Sequence, residues 1–204
     1  MPIDVKICGL KTKEEINIIN QFPIAYAGFI FAPSKRQVSI DQARALIQSM
    51  RKDIQKVGVF VDSPIEEVLR AVNVCKLDVI QLHGKETVDY IQKIPCRVWK
   101  TIQVEDTSSF EGVQNYLGIV EGLLLDTYHK DMHGGTGVEF DWSCIPFTLF
   151  KQSKMILAGG LRPENIHEAI NKVQPNVIDV NSGIEVHGYK TYGRIKKLFE
   201  ELKI

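Results

Sequence analysis

The chain carries no excess charge of either sign: Lys and Arg together number 25, and so do Asp and Glu. That balance argues against nucleic acid or an anionic membrane as the main partner, and leaves room only for a local basic patch that binds a small anion. Long apolar runs are missing too. The longest, IAYAGFIFA at 24–32, is less than half of the roughly 20 residues a membrane-spanning helix needs. The N-terminus, MPIDVKICGL, has neither the basic start nor the apolar core of a secretory signal, so a cytoplasmic, free-standing domain is expected. The four cysteines include no C-x-x-C pair, which argues against a zinc ribbon or thioredoxin-like chemistry. In a reducing compartment they are free thiols, and Cys75, Cys96 and Cys144 read as space-fillers. What remains is 204 residues, 44% hydrophobic and 25% charged, suited to one domain over 1–204 with a full core.

Short apolar, β-rich runs alternate with segments of helical period, the pattern of an α/β chain with a parallel sheet. Strands are predicted at 3–8, 24–31, 56–61, 78–82, 96–102, 121–126, 154–159 and 177–183. Helices are predicted at about 12–21, 39–51, from Pro64 onward, to about 94, 107–117, 140–150, 163–173 and 189–202. Thr12 with Glu15 forms a capping box, Ser39 opens the second helix, and Ser63 reads as a cap with Pro64 at the first helical position. An open doubly wound sheet has five or six strands, so eight regular βα units predict closure into a compact (β/α)₈ TIM barrel.

Such barrels place their sites where the strands end. The strand ends here are polar, small or reactive. Gly159-Gly160 follows the seventh strand and Ser182-Gly183 the eighth; the two loops together predict phosphate binding through backbone N–H groups, although either alone reads as a turn. Gly135-Thr136-Gly137 would add a third wall. Asp126 ends the apolar run LLL, where burial would raise its pKa and make it a general acid, against the alternative of a loop cap. Cys8 ends the first strand; by position it is equally a buried filler or a thiolate of lowered pKa acting as base or nucleophile. Arg36 could grip a carboxylate through two parallel hydrogen bonds, though alone it reads as a surface residue. His83 reads as an orienting or structural donor. His129, Asp131 and His133 alternate as metal ligands can, but without a fixed element to hold them no metal is expected.

Taken in order, these tokens resemble the phosphoribosylanthranilate isomerase family of tryptophan biosynthesis, over nearly the whole chain. The matching pieces are KICGL at 6–10, GFIFAPSKR at 28–36, VGVFV at 57–61, QLHG at 81–84, LDT at 125–127 with GGTG at 134–137, AGGL at 158–161 and DVNSGIE at 179–185. The resemblance implies a (β/α)₈ barrel that performs an Amadori rearrangement. It implies Cys8 as general base, Asp126 as general acid and Arg36 as the holder of the anthranilate carboxylate. Gly159, Gly160, Ser182 and Gly183 match the phosphate loops, and His83 and Asp179 match polar residues near the site. The chemistry calls for an acid of raised pKa and a thiol of lowered pKa, with no metal or redox cofactor. The family often has Gly-x-Lys-Asp after the glutamate; here the stretch is Gly188-Tyr-Lys-Thr191, a departure at the start of the last helix.

The expected partner is a small phosphosugar-anthranilate substrate, with a monomer favoured over a dimer. Two rivals stand beside this reading. One is another sugar-phosphate isomerase or epimerase barrel: an imidazole-pathway isomerase would have Asp where Cys8 stands, and a metal-dependent epimerase would need His and Asp ligands at several strand ends. The other is a non-catalytic phosphate-ligand-binding barrel, which would have no use for Cys8 with Asp126.

Overall fold

The computed structural model describes residues 3–127, 140–151 and 153–203. Eight parallel strands form a closed barrel in chain order: β1 (Asp4–Ile7), β2 (Tyr26–Ile30), β3 (Gln55–Phe60), β4 (Val79–Leu82), β5 (Arg97–Val104), β6 (Gly122–Thr127), β7 (Lys154–Leu157) and β8 (Val177–Val180). β8 pairs back onto β1, with Lys6 in register with Asp179. The expected barrel is present. Its helices are α1 (Lys13–Ile19), α2 (Ile40–Ile47), α3 (Ile65–Cys75), α4 (Val88–Ile91), α5 (Ile166–Val173) and α6 (Tyr192–Leu202). Among the described residues none is long and apolar enough to cross a membrane.

Alternation along the strands sorts two cores. Outward side chains pack under the helices in a large apolar cluster that includes Ile7, Phe29, Phe60, Leu123 and Ile178. Inward side chains form the barrel's own floor, with Tyr26, Val57, Val79, Trp99, Leu124, Ile156 and Val177. Two positions further along the strands the inward residues turn polar: Gln81 after Val79, Asp126 after Leu124, Asp179 after Val177. On β1 the same face carries Lys6 and then Cys8.

Local chemistry explains the elements, including those that differ from the sequence expectation. The Thr12–Glu15 capping box is present, and so is one between Ser39 and Gln42. Ser63 is not a cap: Pro64 stands before α3 in an extended conformation with no side-chain cap bond, and the Ser63 carbonyl accepts from the Tyr90 hydroxyl at 2.8 Å. The helix expected at 107–117 is two 3₁₀ turns, Thr107–Phe110 and Val113–Tyr116, split by Gly112 at φ +78 and opened by Asp106. The helix expected at 140–150 is likewise two 3₁₀ turns, Trp142–Cys144 and Phe147–Lys151, because Pro146 between them cannot continue a helix. Before α6 a small hairpin pairs β9 (Glu185–Val186) with β10 (Tyr189–Lys190), where the sequence predicts the start of the last helix. Thr191 caps α6 by accepting from the Arg194 N–H at 3.4 Å, so the departure from the family's Asp keeps a capping side chain.

Glu15 joins the first and last parts of the chain. It is buried, and its carboxylate accepts the backbone N–H groups of Lys11 at 2.8 Å, Thr12 at 3.0 Å and Lys190 at 3.0 Å. Glu15→Ala strands three donors. We expect it to lower unfolding free energy by roughly 2–4 kcal/mol in urea titration, far more than Glu14→Ala on the exposed side of the same turn.

Candidate active site

The C-terminal mouth of the barrel holds a cavity of about 320 Å³. Cys8, Arg36, His83, Asp126 and Asp179 line it, as do Gly159, Gly160 and Ser182. The structure therefore brings together all but one of the expected site residues that fall in the described segments. Gly183 stands behind the wall. Its backbone presses on the Leu161 carbonyl and Arg162, so that a Cβ there would collide, and its own carbonyl accepts from Arg194 Nη2 at 2.6 Å. Gly135, Thr136, Gly137 and the candidate metal residues His129, Asp131 and His133 lie outside the described residues. Among the described residues no group of three His, Cys, Asp or Glu is placed to hold a metal ion.

At the bottom of the polar layer Lys6 is fully buried. Its Nζ donates to Asp179 Oδ2 at 2.6 Å and to Gln81 Oε1 at 2.7 Å, and the Cys8 thiol lies on the same interior face. Burial pulls the Lys6 pKa down, but Asp179 and Cys8 outweigh it and the net direction is up. An ammonium donates and cannot accept, so the Gln81 atom it meets is the amide oxygen. The Gln81 oxygen is thereby fixed toward Lys6, which turns its NH₂ toward His83 Nδ1, 3.4 Å away. With Nδ1 accepting, a neutral His83 carries its proton on Nε2, which faces Asp126 Oδ2 at 3.6 Å.

Asp126 behaves as its sequence position predicts. Burial, and next the negative charge of Asp179, push its pKa up to about 7, against a hydrogen bond from the Thr127 N–H at 2.9 Å. Cys8 does not follow the sequence expectation. Burial raises the thiol above its ordinary value; Lys6 pulls it down, but not enough to reverse the direction. A thiol at the end of an inward strand face gains a cation and loses water together, and the lost water is the larger effect. The backbone leaves no slack here: a Cβ on Gly28 would stand 2.7 Å from Cys8 Sγ and 3.2 Å from Lys6 Cε.

Arg36 does make two parallel hydrogen bonds, but to a protein carboxylate. Its Nε and Nη2 donate to Glu185 Oε1 and Oε2, each at 2.7 Å. Glu185 also accepts from the buried Lys190 ammonium at 2.8 Å. Burial alone would raise the Glu185 pKa; Arg36 and Lys190 bring it down to about 2. Arg36 is thus held by one edge, with the rest of its guanidinium bordering the cavity. Opposite, Gly159 and Gly160 adopt φ of +82 and +65. Asn165 and Arg162 hold the Gly160 carbonyl at 3.0 and 3.1 Å, which leaves the Leu161 N–H on the other side of the same peptide plane.

The family model described as N-(5'-phosphoribosyl)anthranilate (PRA) isomerase matches residues 5–201. The chain belongs to this family. It is 41% identical to the N-(5'-phosphoribosyl)anthranilate isomerase of Thermoanaerobacter sp. (strain X514), over 98% of each chain. Its fold superposes on the phosphoribosyl anthranilate isomerase of Thermotoga maritima with a TM-score of 0.89, at 34% identity and 98% coverage of both chains. A phosphoribosyl anthranilate isomerase solved with reduced 1-(o-carboxyphenylamino)-1-deoxyribulose 5-phosphate gives a TM-score of 0.86, at 32% identity and the same coverage.

Sequence reasoning missed Lys6, Gln81 and Glu185 as the partners that hold Asp179, His83 and Arg36. The first could have been found: a lysine two residues before Cys8 in an apolar strand shares its inward face.

The raised Asp126 pKa has a stability consequence. The folded state holds this proton up to about pH 7, whereas the unfolded chain loses it near its ordinary value. The stabilisation is therefore complete at low pH and is lost as pH rises through about 7, with a slope on the order of 1.4 kcal/mol per unit. Asp126→Asn has no such proton to lose. Paired denaturation curves should show the variant gaining on the parent chain from about pH 4 to 7, then holding a constant difference.

Proposed function

We propose that this chain isomerises N-(5'-phosphoribosyl)anthranilate to 1-(2-carboxyphenylamino)-1-deoxyribulose 5-phosphate, the Amadori step of tryptophan biosynthesis. The observation that carries the reading is one cavity lined by an acid that is half protonated near neutrality, a thiol on another strand, and anion-binding groups. Asp126 gives its proton to the furanose ring oxygen, and the C1–O bond breaks to leave an iminium. The Cys8 thiolate takes the C2 proton, and the C–H electrons form the C1–C2 double bond of an enolamine. That enolamine gains a proton at C1 and loses one from the 2-hydroxyl to become the amino-ketone. Gly159, Gly160 and Ser182 would hold the phosphate with backbone N–H groups. Gly183 supports that wall from behind. The unbound edge of Arg36 would take the anthranilate carboxylate. His83 and Asp179 face the sugar between them.

The protonation states the reaction needs run against the resting preferences, since the acid titrates near 7 and the thiol above its ordinary range. The form with Asp126 protonated and Cys8 ionised is a minority of the singly protonated enzyme. We expect kcat/KM to rise through about pH 7, stay level, and fall only above the thiol's range. Turnover is followed by the fluorescence of the anthranilate group, with and without a chelator. Activity should survive the chelator and drop by about 100- to 10,000-fold in both Asp126→Asn and Cys8→Ser. No turnover by the folded parent chain would sink the assignment.

The working state is proposed as a cytoplasmic monomer. The Thermotoga maritima relative is described as dimeric, with monomers generated from it. Light scattering should return 23.1 kDa; twice that mass would overturn the monomer.

A further inference from the structure

The reaction proposed above assigns no task to Lys6, and its placement is costly to explain as packing. A fully buried ammonium needs strong compensation, and a well-packed apolar residue would fill the same volume without that need. β1 turns Lys6 and Cys8 to the same interior face, and β8 sets Asp179 beside Lys6 in register. Two of the three ammonium hydrogens go to Asp179 and Gln81. The Cys8 sulfur packs beside the same side chain: a Cβ on Gly28 would stand 2.7 Å from Sγ and 3.2 Å from Lys6 Cε. Gly28 on β2 lets this happen, because any Cβ there would wedge against both Sγ and the Lys6 Cε.

We propose that Lys6 is the positioning residue of the base: its ammonium, held by Asp179 and Gln81 beside the Cys8 sulfur, supplies the positive charge against which the thiolate forms in a water-poor pocket. Lys6 does not touch the reacting carbons; it acts through Cys8. Other charges face the sulfur from every wall of the site. Asp179 on β8 competes with the sulfur for the ammonium, and Asp126 on β6 and His83 after β4 stand across the cavity. Arg36 and the Lys190 ammonium lie on the Glu185 side, and Lys190 adds a smaller pull on Cys8. Lys6 exerts the largest cationic pull on the sulfur, and Asp179 is its paired anion. The two should therefore move the thiol in opposite directions.

The proposal rests on Cys8 being the base, so the test reads the thiol without substrate. Cys75, Cys96 and Cys144 are replaced by Ala, leaving Cys8 as the single thiol. The rate of its alkylation by iodoacetamide is followed against pH by mass spectrometry. Lys6→Met and Lys6→Gln should each raise the midpoint by about 1–3 units, since a nearby opposite charge is worth that much. Asp179→Asn should lower it, because the ammonium is left with the sulfur as its near anion. In the parent sequence, the high-pH limb of kcat/KM should move up with Lys6→Gln, and its plateau should fall. Folded Lys6 variants that alkylate like the parent, or an Asp179→Asn midpoint that stays or rises, would overturn the proposal. If neither Lys6 variant folds by circular dichroism, the direction of the Asp179→Asn shift decides alone. An inactive parent chain with the expected alkylation shifts would leave Lys6's role standing and remove the isomerase reading instead.

Discussion

One buried ion pair organises the mouth of this barrel. Lys6 and Asp179 meet at 2.6 Å in a layer where the side chains are almost wholly shielded from water. Neither charge is tolerable there alone, so the pair imposes conditions on its neighbours. Asp179's charge helps keep Asp126 protonated. The ammonium fixes which way the Gln81 amide faces, and Gln81 in turn fixes the face His83 shows to Asp126. The proposed acid and base sit on β6 and just after β1, with β7 and β8 between them, and a chain of contacts through Gln81 and His83 joins Asp126 to the Lys6 that packs beside Cys8.

A second constraint holds the rim. Arg36, Glu185, Lys190 and Asn181 form a linked group, with Glu15 holding the Lys190 backbone from behind. On the opposite side Arg194 ties the Gly183 carbonyl to Glu164, joining the loops after β7 and β8. The first group places a cation, Arg36, at the cavity while giving it a carboxylate to rest on. The resting partner limits mobility of the guanidinium, so less entropy is lost when a ligand binds its free edge.

The barrel was legible because its determinants are local and repeat: apolar runs of strand length, caps such as Thr12 and Ser39, and polar residues wherever a run stops. Asp126 was legible for the same reason, since its environment is the run that precedes it. The failures are of two kinds. At 107–117 and 140–150 the apolar pattern is present, but Gly112 and Pro146 interrupt it, and the chain settles into shorter 3₁₀ turns. The remainder are pairings between distant strands. Glu185 lies 149 positions from Arg36, and Asp179 lies 173 from Lys6. Only barrel closure makes them neighbours, so no window of sequence contains the information. Gly183 belongs here too: its glycine is required by Leu161 and Arg162 across the loop gap.

The Cys8 pKa is the most instructive miss, because the sequence points to a residue that lines the cavity and to the wrong sign of its shift. Activation of a thiol is not a matter of nearby cations alone. In the folded chain the same strand geometry that brings Lys6 to the sulfur also removes the water, and burial outweighs the cation. A thiol with a high pKa is a stronger base once ionised, and an acid near 7 is a ready donor. Their combination trades population of the reactive form for the driving force of each transfer. Because Lys6 and Asp179 bear on both groups, any substitution that raises the thiolate population through one of them also disturbs the protonation of Asp126. The two pKa values cannot be tuned independently, and the buried pair is the reason.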